Sequence, residues 1–211
     1  FSLAILIDFI ILFNPRISGI ETMDSLTIIG SNPRFEAPML EARIRKSWLA
    51  SNMTIGRIGG DSKLSYPVLE LGSKTSVLDE ILSGSHDYHN ILQKSYRPGF
   101  IVGEGIINRS DGESLIGKIR EIAEKYNAYD QEWNGLGFLH TSAGTVGALE
   151  VGFVPQKNGN NTNKIIKNIK SGNIKFIWLL NTDDLDVESL SKAFVVYQGH
   201  HGDKAAAIAD V

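Results

Sequence analysis

Two histidines and an aspartate fall within five consecutive residues, Gly199-His200-His201-Gly202-Asp203, after an apolar stretch ending at Tyr197. Imidazole and carboxylate groups are the side chains that hold a divalent metal or pass protons near neutral pH. Neighbouring side chains on an extended segment point to opposite faces, however, so adjacent histidines converge poorly on one ion. The remaining histidines, His86, His89 and His140, are distant in the chain. A hydrogen-bonded loop is therefore the reading adopted, and no metal site is assigned. Asp183, Asp184 and Asp186 make a second oxygen-rich cluster able to take Mg²⁺, but acidic residues ahead of a short helix also cap it, and capping is adopted. No Gly-x-Ser-x-Gly elbow occurs, so no serine nucleophile is assigned. The absence of cysteine removes thiolate nucleophiles, disulfides and the ligands that iron-sulfur clusters normally require. No catalytic residue is assigned.

Gly30-Ser31-Asn32-Pro33 follows the apolar run Ser25–Ile29. Open α/β sheets place ligands at such a point, at the carboxyl end of a strand where the backbone N–H groups of a helix start face outward. The stretch is neither Gly-x-Gly-x-x-Gly nor a Walker loop, and any strand-to-helix turn favours Gly, Asn and Pro on steric grounds. A structural turn is the primary reading; cofactor binding by Gly30, Ser31 and Asn32 is the alternative. Arg34, Glu36, Arg43, Arg45 and Lys46 form a charged band just beyond. It serves either to anchor a partner or an anion, or as an exposed helix with short-range ion pairs worth a few tenths of a kcal/mol each. Trp48, Trp133 and Trp178 read as core or interface aromatics, since no basic groove accompanies them.

Alternating strands and helices position these groups. Ser25–Ile29 reads as a buried strand, and Leu40, Ile44 and Trp48 at four-residue spacing predict an amphipathic helix over residues 35–49. Residues 53–58 give a strand stopped by Gly59-Gly60, residues 75–82 a helix ended by Gly84, and residues 100–107 a strand broken by Gly103 and Gly105. Ser110 and Glu113 match a capping box, with Leu115, Ile116, Ile119, Ile122, Ala123 and Tyr126 on one helix face beyond it. Residues 135–139 suit a strand and residues 142–150 a small-residue helix. Residues 155–163 form a polar loop, residues 164–170 a short amphipathic helix, and residues 174–180 and 193–197 two more strands around a short helix at residues 187–191. The sum is an α/β chain with a mostly parallel sheet and helices on both faces, Rossmann-like. Lys and Arg number 21 against 24 Asp and Glu, a net charge of −3, which argues against nucleic acid as a partner. Residues 1–13 are apolar but interrupted by Asp8, shorter than the roughly 20 residues of a spanning helix, and read as a buried strand or interface segment. A start on Phe1 suits a processed, partial or unusually initiated chain.

Several stretches together resemble one family. These are Gly30-Ser31-Asn32-Pro33-Arg34-Phe35-Glu36-Ala37-Pro38, Ala42-Arg43-Ile44-Arg45-Lys46-Ser47-Trp48-Leu49, Leu139-His140 with Val146-Gly147-Ala148-Leu149, and Tyr197-Gln198-Gly199-His200-His201-Gly202-Asp203 leading to Ala209-Asp210-Val211. In order and approximate spacing they resemble the molybdopterin-oxidoreductase-like domain of the large (75-kDa type) iron-sulfur subunit of respiratory complex I. The resemblance makes residues 17–211 a partial domain of that kind, with residues 1–16 an apolar segment outside it. It implies a non-catalytic structural part of an NADH:ubiquinone oxidoreductase, in the peripheral arm on the matrix side of the mitochondrial inner membrane or the cytoplasmic side of a bacterial one, with no direct membrane span. It further implies loss of the pterin cofactor, iron-sulfur clusters and FMN held by partner chains, and a split subunit whose Cys-rich N-terminal region is a separate chain. The rival expectations are a free-standing α/β enzyme binding a nucleotide or pterin at the Gly30 loop, with His200, His201 or Asp203 as acid-base groups, and a carbohydrate or nucleotide sensor.

Overall fold

The computed structural model describes residues 16–60, 63–129, 133–155, 159–182 and 184–211. The apolar segment at residues 1–13 lies outside them. By backbone contact the chain divides into two compact units, Phe1–Gly152 and Phe153–Val211.

In the first unit Ser25–Ile29 (β1) is buried at every position, because it pairs in parallel with Thr54–Ile58 (β2) on one side and Pro98–Val102 (β4) on the other. Leu69–Gly72 (β3) lies outside β2 and Leu136–Phe138 (β5) outside β4, giving the all-parallel order β3-β2-β1-β4-β5. The chain steps outward from β1 to β3, then returns to the opposite side of β1. A doubly wound sheet of this kind opens a crevice at the carboxyl ends of the two strands where the direction reverses.

Helices cover both faces. Leu26 and Ile28 of β1 pack with Leu40 and Ile44 of Pro38–Ser51 (α3) and with Ile20 of the 3-10 turn Ile20–Thr22, which follows the short helix Arg16–Gly19 (α1). Ile29 and Val102 pack on the other face with Val77, Leu78 and Ile81 of Ser76–Ser83 (α4), Leu92 of His89–Lys94 (α5) and Ile116 and Ile119 of Gly112–Lys125 (α7). Thr27 also points to that face, where its hydroxyl shares a hydrogen bond of 3.0 Å with the Tyr88 hydroxyl. Gly56, beside Thr27 in register, leaves the space this ring needs: a Cβ there would lie 2.6 Å from Tyr88 Cζ.

Three local expectations change. The helix foreseen over residues 35–49 is two helices, Pro33–Glu36 (α2) and α3, because Pro38 has no N–H to continue the first and sits instead at the start of the second. The strand foreseen over residues 100–107 ends at Val102; Gly103 starts a short helix, Glu104–Ile107 (α6). The capping box at Ser110 and Glu113 does not form: the cap position of α7 is Asp111, with no side-chain cap bond, and its carboxylate is taken by Arg109 at 2.7 and 2.9 Å. Strand β3 and helix α5 were not foreseen. Thr145–Glu150 (α8) closes the unit.

In the second unit, Phe176–Leu180 (β6) and Phe194–Gln198 (β7) pair in parallel. Their inward residues Leu179 and Val195 bury against Ile169 of Thr162–Lys170 (α9), Leu190 of the 3-10 turn Val187–Leu190 and Ala205 of Lys204–Ile208 (α10). Asn161 caps α9, its side chain accepting from Lys164 N–H at 3.0 Å.

The amino end of β1 is pinned by Asp24, whose carboxylate accepts from Tyr96 N–H at 2.6 Å, Arg97 N–H at 3.1 Å and the Ser95 hydroxyl, ahead of β4. Partial burial raises its pKa, but these hydrogen bonds outweigh that and hold it below the ordinary 3.8. A depressed carboxylate contributes stability that is present above its unfolded pKa and lost as pH falls through its folded one. Asp24→Asn therefore lowers stability by about 1 kcal/mol above about pH 5, a figure kept small because the site is solvent-screened. The deficit shrinks as pH drops below 3.8, as urea unfolding at a series of pH values will report; a deficit independent of pH would remove the charge from the explanation.

Candidate functional site

A cleft of about 400 Å³ opens where the switch point predicts it, bounded by the loops that follow β1, β2, β3 and β4. Gly30, Ser31, Asn32 and Glu36 form one wall, Gly59 and Gly60 the floor behind β2, Ser73, Lys74 and Thr75 the wall after β3, and Gly105, Ile106 and Arg109 the wall after β4.

Gly30 is built into this crossing. Its φ of +58° is left-handed, its N–H donates to Ile58 O at 2.9 Å, and its carbonyl accepts from Gly105 N–H at 3.0 Å. A Cβ on Gly105 would lie 2.6 Å from Gly30 O, and one on Gly30 2.7 Å from Ile106 Cγ1. The glycines thus permit the β1 and β4 loops to cross in backbone contact. Of this cleft the sequence singles out Gly30, Ser31, Asn32 and Glu36 as candidate functional residues, and Gly59, Gly60 and Gly105 only as strand breakers. Ser73, Lys74 and Thr75 were missed because β3 was missed, and Arg109 because its segment reads as a helix lead-in.

Two donors of the Gly30 loop are already committed within the chain. Glu36 folds back over it, accepting from Asn32 N–H at 2.6 Å and from the Ser31 hydroxyl at 2.9 Å. Both of these donors, which an incoming anion could use, meet a carboxylate of the same chain. Asn32 Oδ1, an acceptor, is buried with no hydrogen-bond partner and offers nothing to a phosphate oxygen. Arg109, on the far wall, is engaged bidentately by Asp111, which holds the Asp111 carboxyl below its ordinary range.

The charged band does not form the short-range ion pairs along a helix that one of its two readings expected. Arg34 donates to Lys63 O at 3.0 Å and Arg45 to Ser65 O at 2.5 Å, while Arg43 and Lys46 both hold Glu21, the latter at 2.7 Å. These ties run from α2 and α3 to other segments instead of along the helix. Beneath them buried Glu41 accepts from Tyr66 OH at 2.5 Å and Ser65 Oγ at 3.2 Å; burial first, then this carboxylate, drives the Tyr66 hydroxyl well above its ordinary range.

The histidines do not gather. His86 accepts from Tyr88 N–H at 3.1 Å with one ring nitrogen and meets Leu71 O with the other, and His89 meets the Tyr126 hydroxyl at 2.7 Å. Burial lowers the pKa of His140, against the opposing charge of Glu104. In the second unit His200 meets Asn181 Oδ1 at 2.9 Å, and its ring lies edge to face with His201 at 4.1 Å between centroids. The chain bends after β7, so these rings are not on opposite faces as an extended segment would place them. Asp203 instead accepts from Tyr197 OH at 2.5 Å, and among the described residues no group of three potential ligands could hold a metal. Asp186 accepts from the Ser189 hydroxyl without capping a backbone N–H, and Asp183 lies outside the described residues. Trp48 and Trp133 pack against the core beneath α3, Trp133 donating to Pro98 O at 3.2 Å, whereas Trp178 is exposed.

A family model described as molybdopterin oxidoreductase matches residues 8–211. The chain is 40% identical over 202 residues to the mitochondrial NADH-ubiquinone oxidoreductase 78 kDa subunit of Candida albicans, covering 95% of this chain and 26% of that protein. It is 38% identical over 200 residues to the NADH-ubiquinone oxidoreductase 75 kDa subunit of Reclinomonas americana, and 36% over 200 residues to one of the NADH-quinone oxidoreductase subunits of Rickettsia conorii. Those matches cover 94% and 95% of this chain, and 28% of each relative. The chain thus spans about a quarter of the length of the curated relatives it matches.

Because the loop crossing tolerates no added carbon, Gly105→Ala lowers stability by about 2 kcal/mol. Gly60→Ala, on the same cleft but with no atom within 4 Å of the new Cβ, stays within about 0.5 kcal/mol of the parent. Urea midpoints of the two variants of the full chain test this, and equal midpoints would contradict it.

Proposed function

Since the chain belongs to the molybdopterin oxidoreductase family, we propose that it is a cofactor-free scaffold within the large peripheral-arm subunit of an NADH-quinone oxidoreductase. One observation carries this reading: relatives 36–40% identical along 94–95% of the chain are all named as subunits of NADH-ubiquinone or NADH-quinone oxidoreductase. In this role the chain supports electron transfer from NADH to ubiquinone without a catalytic residue of its own. The site is the matrix side of the mitochondrial inner membrane, or the cytoplasmic side in a bacterium. No helix among the described residues is long and apolar enough to cross a membrane.

The Gly30 loop does not fit a phosphate-tailed pterin, and two features support a scaffold there. Glu36 takes the Asn32 N–H and the Ser31 hydroxyl, so a phosphate arriving at the loop meets a carboxylate instead of free donors. The orphaned Asn32 Oδ1 adds a further acceptor. With no cysteine in the sequence, iron-sulfur clusters are assigned to partner polypeptide, as is FMN. The partners are other subunits of the oxidoreductase, above all a Cys-rich chain carrying the iron-sulfur region of the large subunit.

The test is migration on a native gel with in-gel NADH dehydrogenase staining, followed by mass spectrometry of the stained band. The expected result is this chain in the active band together with Cys-rich polypeptide. Gly56→Ala, which crowds Tyr88 in the core, then reduces the amount of active band severalfold while activity per assembled complex stays within about twofold, the behaviour of a residue that acts through folding. Recovery of the chain only as a small species away from the activity would overturn the proposal.

A further inference from the structure

The two-stranded sheet of the second unit has apolar side chains on both faces, and the described residues of that unit cover one of them. Strand alternation sends Ile177, Leu179, Val195 and Tyr197 inward to the cluster formed with α9, α10 and the 3-10 turn. It sends Phe176, Trp178 and Leu180 of β6 and Phe194 of β7 outward, where they remain 55%, 57%, 60% and 49% exposed. They form one patch: Phe176 stands opposite Phe194 in register, their rings stacked at 6.3 Å with 14° between planes, and Trp178 stands opposite Val196. A surface of this kind, on the order of 400 Å², is as large as the biggest apolar patch of a typical monomer, and aromatic side chains dominate it.

Two observations identify what covers it. First, β6 and β7 are parallel and joined by a crossover, and parallel strands are found with helices packed on both faces. Among the described residues of this unit only the inner face carries them. The outer edge of β7 is already served by this chain's own backbone, since Tyr197 N–H donates to Val211 O at 2.9 Å and Val211 N–H to Val195 O at 3.3 Å. The face, and not that edge, is what a partner must cover. Second, the chain corresponds to only 26–28% of its relatives, so some three quarters of such a protein lies in polypeptide outside the matched span.

We propose that the Phe176-Trp178-Leu180-Phe194 face is the docking surface for an amphipathic helical layer belonging to that remaining polypeptide of the large subunit. Trp178 inserts between helices as the central anchor, as buried aromatics do at the middle of stable interfaces. The inference rests on the placement in the oxidoreductase proposed above. Because Trp178 is outward-facing, its replacement changes docking and leaves the fold of the unit alone.

The experiment places a photo-crosslinking benzoylphenylalanine at position 178 of the full chain, in cells making the whole oxidoreductase, with Ser171, exposed on the same unit, as the control position. Crosslinked peptides are then sequenced. The expected product joins position 178 to a helix-forming peptide of the large subunit outside the matched span, at least tenfold above the control. Trp178→Glu is expected to keep the melting temperature of the full chain and to cut its recovery in the active band at least tenfold. Crosslinks chiefly to a second copy of this chain, to this chain itself, to another subunit or to lipid overturn the proposal, as does Trp178→Glu recovered in the band at parental level. If the unsubstituted chain is absent from the active band, the placement in the oxidoreductase fails; if it is present and the crosslink goes elsewhere, only the docking assignment fails.

Discussion

The burial of β1 on both faces and along both edges is the constraint from which the first unit follows. A strand of Ser25, Leu26, Thr27, Ile28 and Ile29 with no exposed position needs a parallel neighbour on each side to satisfy its backbone, and a helical layer above and below to remove its side chains from water. Parallel neighbours require crossovers, and a chain that places neighbours on both sides of its first strand must reverse direction once. That reversal puts Gly30 and Gly103 next to each other: Gly103 N–H donates to Ile29 O and Gly105 N–H to Gly30 O. The cleft is thus a geometric consequence of burying β1.

A cleft made by topology does not have to be used. In this chain the position that a doubly wound sheet offers to an anion is filled from within, by a carboxylate located five residues beyond Ser31. The arrangement closes two hydrogen bonds of the loop within the chain. The same substitution of internal contacts for external ones recurs in the charged band, where Arg34, Arg43, Arg45 and Lys46 tie α2 and α3 to neighbouring segments. Exposed pairs of this kind contribute little energy each, but they fix the position of the helix that covers one face of β1. Both features suit the scaffold role proposed above.

The resemblance carried by the Gly30 and Tyr197 stretches agrees with the family match over residues 8–211. The parallel α/β character was equally legible, since β1, β2 and the two strands of the second unit show as short apolar runs closed by Gly, Asn or Pro. The less legible elements are those whose burial is partial. β3 is exposed at all but one of its positions, so its composition gives no apolar run to detect, and with it went the wall formed by Ser73, Lys74 and Thr75. The box at Ser110 and Glu113 has the right residues at the right spacing, but Arg109 ion-pairs with Asp111 and moves the helix start.

The order of amino acids dictated local properties: which runs are apolar enough to be strands, which turns demand glycine, that cysteine ligands are absent, and which family these stretches resemble. Strand order, the backbone crossing at Gly30 and Gly105, the use of Glu36 as an internal anion and the exposure of Trp178 emerged only with tertiary packing. Each depends on residues far apart in the chain, or on a side chain choosing between neighbour and solvent. The pattern of apolar positions states that a strand has two apolar faces, while only packing decides which of them is covered.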